Sequence, residues 1–227
     1  MKFSRLLIAL FISSFAFVAC NNDDDNTYVN IREDMAMMRV QGRLVTSLIT
    51  DENEKLTLPE DWKVDSAFAR PDTTYRVMIQ YSKVDDSTPI TTYAAAVVPV
   101  YSPAPVYEGA DEFARKPRTT KDDPVDLQSV WVSTNGSYIN LYYFILNNNA
   151  DISKHIIDVT EDSVTVLPNG QNRHHLTLRH DRAAMPESYS IPAFLSIPLS
   201  SYNKGEEVVM RAKLYGGKLY EKSFTIK

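Results

Sequence analysis

Cysteine is almost missing from this chain: Cys20 stands alone in 227 residues, so no internal disulfide and no cysteine-rich zinc site can form. Glycine is scarce as well, and the seven present never fall into G-x-G-x-x-G, G-x-x-x-x-G-K or G-x-S-x-G spacing. Phosphate-cradling loops and the nucleophile elbow of α/β-hydrolases are therefore excluded as motifs, and no motif calls for a cofactor. Positive charge is never in useful excess: residues 27–102 carry −3, residues 103–127 carry −2 and residues 128–227 only +1. A phosphate backbone demands a cationic surface, so nucleic acid is not an expected partner.

What is present begins at the N-terminus. Lys2 and Arg5 precede an apolar run over residues 6–18 that only Ser13 and Ser14 interrupt. That run is too short to span a bilayer and reads as a secretory signal. It ends in Phe17-Val18-Ala19-Cys20, which resembles the lipobox of bacterial lipoproteins, in which the cysteine is acylated and becomes the new N-terminus. The alternative is an ordinary signal peptide cleaved nearby, leaving a free thiol. Each buried methylene of an acyl chain contributes about 0.8 kcal/mol, so several chains on Cys20 would anchor the protein durably to a membrane. The stretch that follows, Asn21-Asn22-Asp23-Asp24-Asp25, resembles the acidic signal by which Bacteroidetes lipoproteins reach the cell surface. Lipid anchorage in the outer membrane, exposed at the surface, is the expected location. Without residues 1–19 the chain has 22 basic and 29 acidic side chains, a net charge of −7.

From Met35 onward the hydrophobic period is two. In Tyr75-Arg76-Val77-Met78-Ile79-Gln80-Tyr81 the odd positions are apolar and the even ones mostly polar, the mark of a half-buried strand. Similar runs cover 39–50, 56–58, 91–101, 129–146, 155–160, 163–167, 174–180, 193–198, 207–215 and 219–226, and no convincing helical period persists beyond about two turns. An all-β protein is expected. Residues 103–127 break the pattern with Pro103, Pro105, Pro117 and Pro124 and a charged stretch between them, which reads as a connection. The expected organisation is a signal peptide (1–19), an acidic tether (20–34), a small barrel domain (35–102), the connection (103–127) and a sandwich domain (128–227).

Two hairpins can be set in register from the sequence. A two-residue type I′ loop at Asn135-Gly136 places Val132 opposite Ile139 and Val130 opposite Leu141, giving one wholly apolar face. At Gly216-Gly217 a two-residue loop would mix polar and apolar residues on both faces. A three-residue loop over 216–218 instead pairs Leu214 with Tyr220, Met210 with Phe224 and Val208 with Ile226, so an odd loop with a bulge is expected.

Together with the N-terminal pattern, "VQGRLVT" (40–46), "LPEDWK" (58–63), "YINLYYFIL" (138–146) and "HHLTLRHD" (174–181) resemble the NigD-like lipoproteins of Bacteroidetes. The resemblance implies an N-terminal OB-like five-stranded β-barrel followed by a C-terminal antiparallel β-sandwich. It brings no catalytic residue and no ligand with it.

Three groups of side chains could carry chemistry. His174 and His180 share one face of a strand but lie about 20 Å apart at 3.3 Å per residue, too far to share a metal. They read as structural or surface groups, with a site using His175 or His180 and a distant carboxylate left open. The acid pairs Asp85-Asp86, Asp122-Asp123, Glu161-Asp162 and Glu206-Glu207 sit beside expected turns and lack calcium-loop spacing. The aromatics are the best lead: Trp131 pairs with Asn140 and is diagonal to Tyr138 and Tyr142, so three rings and an amide share the face opposite the apolar one. Such a platform stacks on sugar rings, although the same rings could instead pack beneath the other domain or inside the sandwich. The leading expectation is a non-enzymatic binding or envelope-assembly protein, with an envelope protein as partner. A glycan-binding accessory protein using Trp131, Tyr138, Asn140 and Tyr142 is the alternative, and a hydrolase such as a glycosidase is the third reading.

Overall fold

The computed structural model describes residues 30–64, 72–147 and 153–227. Residues 1–19, Cys20 and the rest of the expected tether as far as residue 29 lie outside the described residues. Among those described, twelve strands and one 3-10 turn form three sheets, and the protein is all-β.

The first sheet is antiparallel in the order β2-β1-β3-β4, from β1 (Ile31–Gln41), β2 (Leu44–Thr50), β3 (Thr73–Ser82) and β4 (Thr91–Val97). Alternation in β1 sends Ala36, Met38 and Val40 inward, where they meet Val77, Ile79 and Tyr81 of β3 and Leu48 of β2. The run expected over 39–50 is thus two strands, because the chain reverses at Gly42. Strand β1 begins at Ile31, inside the expected tether, because Arg32, Glu33 and Asp34 find partners in Tyr81, Gln80 and Ile79. Residues 56–58 add no strand. Leu56 plugs the core, and only isolated bridges at Lys55 and Lys63 extend the sheet. Among the described residues the unit is an open four-stranded sheet, with no closed barrel.

The sandwich packs the three-stranded sheet β10-β7-β6 against the five-stranded sheet β12-β11-β9-β8-β5. Its strands are β5 (Ala104–Pro105), β6 (Asp126–Val132), β7 (Tyr138–Asn147), β8 (Ile156–Val166), β9 (Asn172–Asp181), β10 (Tyr189–Pro198), β11 (Glu207–Lys213) and β12 (Leu219–Thr225). Because β10 crosses to the other sheet, β9 and β11 lie parallel. Ile139, Leu141, Ile145, Leu195 and Ile197 from one sheet close on Val159, Leu176, Val208 and Met210 from the other, all fully buried. Each such side chain contributes roughly 1.5–3 kcal/mol, which is what holds a chain that has no disulfide.

Both hairpins keep their apolar faces. Val132 faces Ile139 and Val130 faces Leu141 as the sequence predicts. The turn differs: type I′ needs positive φ at both central residues, and here Gly136 has it (φ 70°) while Asn135 does not. The reversal instead runs from Ser133 to Gly136, and the Ser133 hydroxyl accepts from the amides of Ser137 and Tyr138. In the second hairpin the loop is odd but covers Tyr215–Gly217, so Met210 faces Lys222 and Val208 faces Phe224, without a bulge in the pairing. The slip is two in register and preserves every facing. Lys222, which shares the face of Tyr220 and Phe224 in either register, reaches out to donate to the Val130 carbonyl at 2.9 Å.

The expected connection is ordered: from residue 103 to Val125 it lies along the five-stranded sheet, supplying its edge strand β5, and Asp126 and Leu127 already open β6 of the other sheet. Asp158 in β8, fully buried, takes both nitrogens of Arg115 at 2.7 Å and the amide of Arg118 at 2.7 Å. The Glu161-Asp162 pair, expected at a turn, sits in mid-strand: β8 is continuous and bulges there. Asp162 accepts from Thr160, Thr177 and Arg179.

Candidate functional site

Odd positions of β7 face the sandwich core, so its even positions, with Trp131 of β6, face the N-terminal sheet. A cleft of about 620 Å3 opens there. One wall is aromatic: Trp131, Tyr142 and Phe194 of β10, with the last two rings stacked at 4.6 Å and 12°. Facing it is an acidic wall of Glu33, Asp34 and Glu52, with Gln80 beside Glu33. Asp34 accepts from the Tyr81 hydroxyl at 2.7 Å, and burial together with that carboxylate pushes the Tyr81 phenol up to about 12. Among the described residues no lysine or arginine lines the cleft.

The four side chains expected to form a platform divide into two pairs. Trp131 and Tyr142 are half-buried and line the cleft. Asn140 and Tyr138 do not; they belong to a polar joint between the two units. Arg76 projects from β3 on the face opposite Val77, and its side chain is wholly buried. It binds Asp51 through both terminal nitrogens at 2.5 and 2.6 Å, Asn140 Oδ1 at 3.1 Å and Ser196 Oγ at 3.2 Å. Its guanidinium lies 4.3 Å from the centre of the Tyr138 ring. Ser196 also donates to Asn140 Oδ1, and Asn140 Nδ2 donates to Asp51. Asn140 is therefore absorbed by the joint and offers no amide to a ligand, which corrects one part of the expected platform. Asp51 closes the joint through its backbone as well, accepting from the Asn135 amide at 3.0 Å.

The family follows from the second unit. Residues 108–226, more than half the chain, match the NigD-like C-terminal beta sandwich domain. The chain belongs to the NigD-like family. Solved structures similar to this NigD-like chain include an immunity protein of the same kind from Bacteroides caccae ATCC 43185, at 20% identity and a TM-score of 0.60, covering 88% of this chain and 99% of that one. A protein of unknown function from Bacteroides vulgatus ATCC 8482 aligns at 18% identity and 0.59, over 86% and 92% of the two chains. A candidate lipoprotein from Bacteroides fragilis NCTC 9343 aligns at 12% and 0.57, over 86% and 98%. At these identities the likeness is one of fold. No curated protein matches the chain in sequence.

The histidines fall into separate environments at the two ends of β9. His174 Nδ1 meets Glu161 at 2.7 Å, with Tyr202 edge-on to its ring at 4.7 Å. His155 Nδ1 lies 2.8 Å from His180 Nε2. Among the described residues no group of three or more His, Cys, Asp or Glu is placed to hold a metal ion. Glu33, Asp34, Glu52 and Phe194 were not singled out in the sequence, since their role rests on the meeting of β1 and the loop after β2 with β10.

Proposed function

We propose that this NigD-like chain is a lipoprotein anchored through Cys20 in the outer membrane and exposed at the cell surface, that its role is binding rather than catalysis, and that its ligand is a glycan held in the cleft. The observation that carries this reading is the facing of Trp131 and Tyr142 by Glu33, Asp34 and Glu52. A ring face stacks on the apolar face of a sugar, while carboxylates accept from its hydroxyls. With no cation in the lining among the described residues, neutral or amine-bearing glycans fit and sulfated or uronate-rich ones do not. The carboxylates are largely engaged, Asp34 by Tyr81 and Glu33 by Gln80, which suits fixed acceptors better than an acid–base pair. The fold shared with a candidate lipoprotein supports the anchor.

The test is a glycan array probed with the soluble chain and with Trp131→Ala, folding being checked by circular dichroism. Binding lost in the folded variant supports the reading. Binding that persists, or hydrolysis of a captured glycan, overturns it. Palmitate labelling lost in Cys20→Ser, and removal of the protein from whole cells by protease, test the anchor and the exposed face.

Envelope assembly is the second reading, favoured by β4. This edge strand of the first sheet is exposed at all but one of its residues, and Tyr93 and Val97 are exposed apolar side chains on it. An unpaired edge is a template for another chain. A single stoichiometric envelope partner captured from intact cells, lost on Ala95→Pro, would favour it.

A further inference from the structure

The first sheet turns one face of β1 and β3 toward the sandwich. Ala36, Val77 and Ile79 point into the core of the first unit, so Glu33 and Met35, paired with Gln80 and Met78, point the other way and line the cleft. Glu52, in the loop after β2, adds a second exposed carboxylate to the lining. Asp34 is occupied by the Tyr81 hydroxyl, and Asp51 is neutralised by Arg76. Glu33 has no such cation: it accepts from the uncharged amide of Gln80 through one oxygen, and Glu52 has no hydrogen-bond or ion-pair partner among the described residues. Both carboxylates therefore face Trp131, Tyr142 and Phe194 with their charge uncompensated. The two walls select in the same direction. A carboxylate accepts and cannot donate, and the face of an aromatic ring is electron-rich. An ammonium group brings three donors, no acceptor and a positive charge, which suits both walls. A hydroxyl brings lone pairs of its own, and an N-acetyl group has lost the charge.

We propose that the cleft selects amine-bearing sugars, the ammonium lying between the carboxylates of Glu33 and Glu52 and the ring faces of Trp131 and Tyr142, with Met35 and Met78 supplying apolar surface to the sugar. This inference rests on the glycan reading and narrows its ligand from glycans at large to cationic ones.

The probes are the trimer of β-1,4-linked glucosamine and its fully N-acetylated form, which share a backbone and differ in charge. At about pH 6, where amines of this kind are protonated and glutamates ionised, the full chain should bind the free-amine trimer roughly tenfold more tightly by calorimetry. Glu33→Gln with Glu52→Gln should bring the ratio close to one, and added salt should narrow it in the unaltered chain. Glu60→Gln with Glu108→Gln, which neutralises two exposed carboxylates outside the cleft, should leave the ratio intact and so separates the cleft from attraction to net charge. Equal affinities, tighter binding of the acetylated trimer, a preference that survives in Glu33→Gln with Glu52→Gln, or one that vanishes in the Glu60 and Glu108 control each overturn amine selection and leave the glycan reading standing. Binding of neither trimer overturns it too, and the glycan reading then stands or falls by the array.

Discussion

Replacing Arg76 by methionine should uncouple the first sheet from the sandwich. The guanidinium is wholly buried and makes four polar contacts and one ring contact, with partners contributed by the loop after β2, by β7 and by β10. Methionine fills much of the volume but strands the Asp51 carboxylate. Removing one member of a buried pair costs about 3–5 kcal/mol, chiefly because the other charge stays desolvated. The Asp51 side chain retains 12% exposure and the bond from Asn140, so the lower end, about 3 kcal/mol, is expected. Adding Asp51→Leu should restore most of that loss, since an apolar pair in place of a buried ion pair is often nearly neutral. Urea unfolding of the three variants, followed by circular dichroism and by the two tryptophans, reads the difference; Trp62 lies in the first unit and Trp131 in the second. A loss below about 1 kcal/mol for Arg76→Met, or a double variant as weak as the single, would refute the account of the joint.

Three further outcomes are expected. Asp158→Asn removes the charge that anchors Arg115; burial opposes that charge, but Arg115 and the amides of Arg118 and Val159 hold the carboxyl below its ordinary value. It should cost about 2–3 kcal/mol and expose residues 106–121 to limited proteolysis. Gly205→Ala should cost about 1–2 kcal/mol in thermal unfolding, because φ there is +92°; the Cβ contact with Gln171 Oε1 at 3.0 Å is the cheaper part, that side chain being flexible. For pH, burial depresses His155 and His180 in the folded state, so the unfolded chain binds more protons below the ordinary value of 6.5. Stability should fall as pH drops below 6.5, by at most about 1.4 kcal/mol per pH unit for each imidazole, well above the range near 3.8 where Asp158 acts. His155→Phe should flatten that slope.

What was legible in the sequence follows from what local patterning constrains. Period two and the apolar face of the β6–β7 hairpin fixed its register, because a slip of one residue would turn Val130 and Val132 outward. The same constraint is blind to a slip of two, which is why the β11–β12 pairing moved while its facing survived, with Lys222 long enough to escape the inner face. Turn chemistry misled twice, at Asn135-Gly136 and at Glu161-Asp162, since hydroxyl and guanidinium partners supplied by the fold outweighed the local preference. Of the platform, the ring positions could be read from alternation. The loss of Asn140 to Arg76 could not, because the two are 64 residues apart and meet only through packing between units. The acidic wall was hidden for the same reason.

The most direct test of a ligand cleft between the sheets is a fluorescence titration of Trp62→Phe, which leaves Trp131 as the sole reporter. A neutral oligosaccharide selected on the array should shift and saturate the Trp131 emission, and Glu52→Gln with Asp34→Asn should weaken binding roughly tenfold or more, as expected on losing charge-assisted hydrogen bonds. Saturable binding that leaves the Trp131 emission unchanged would place the ligand elsewhere and contradict the account.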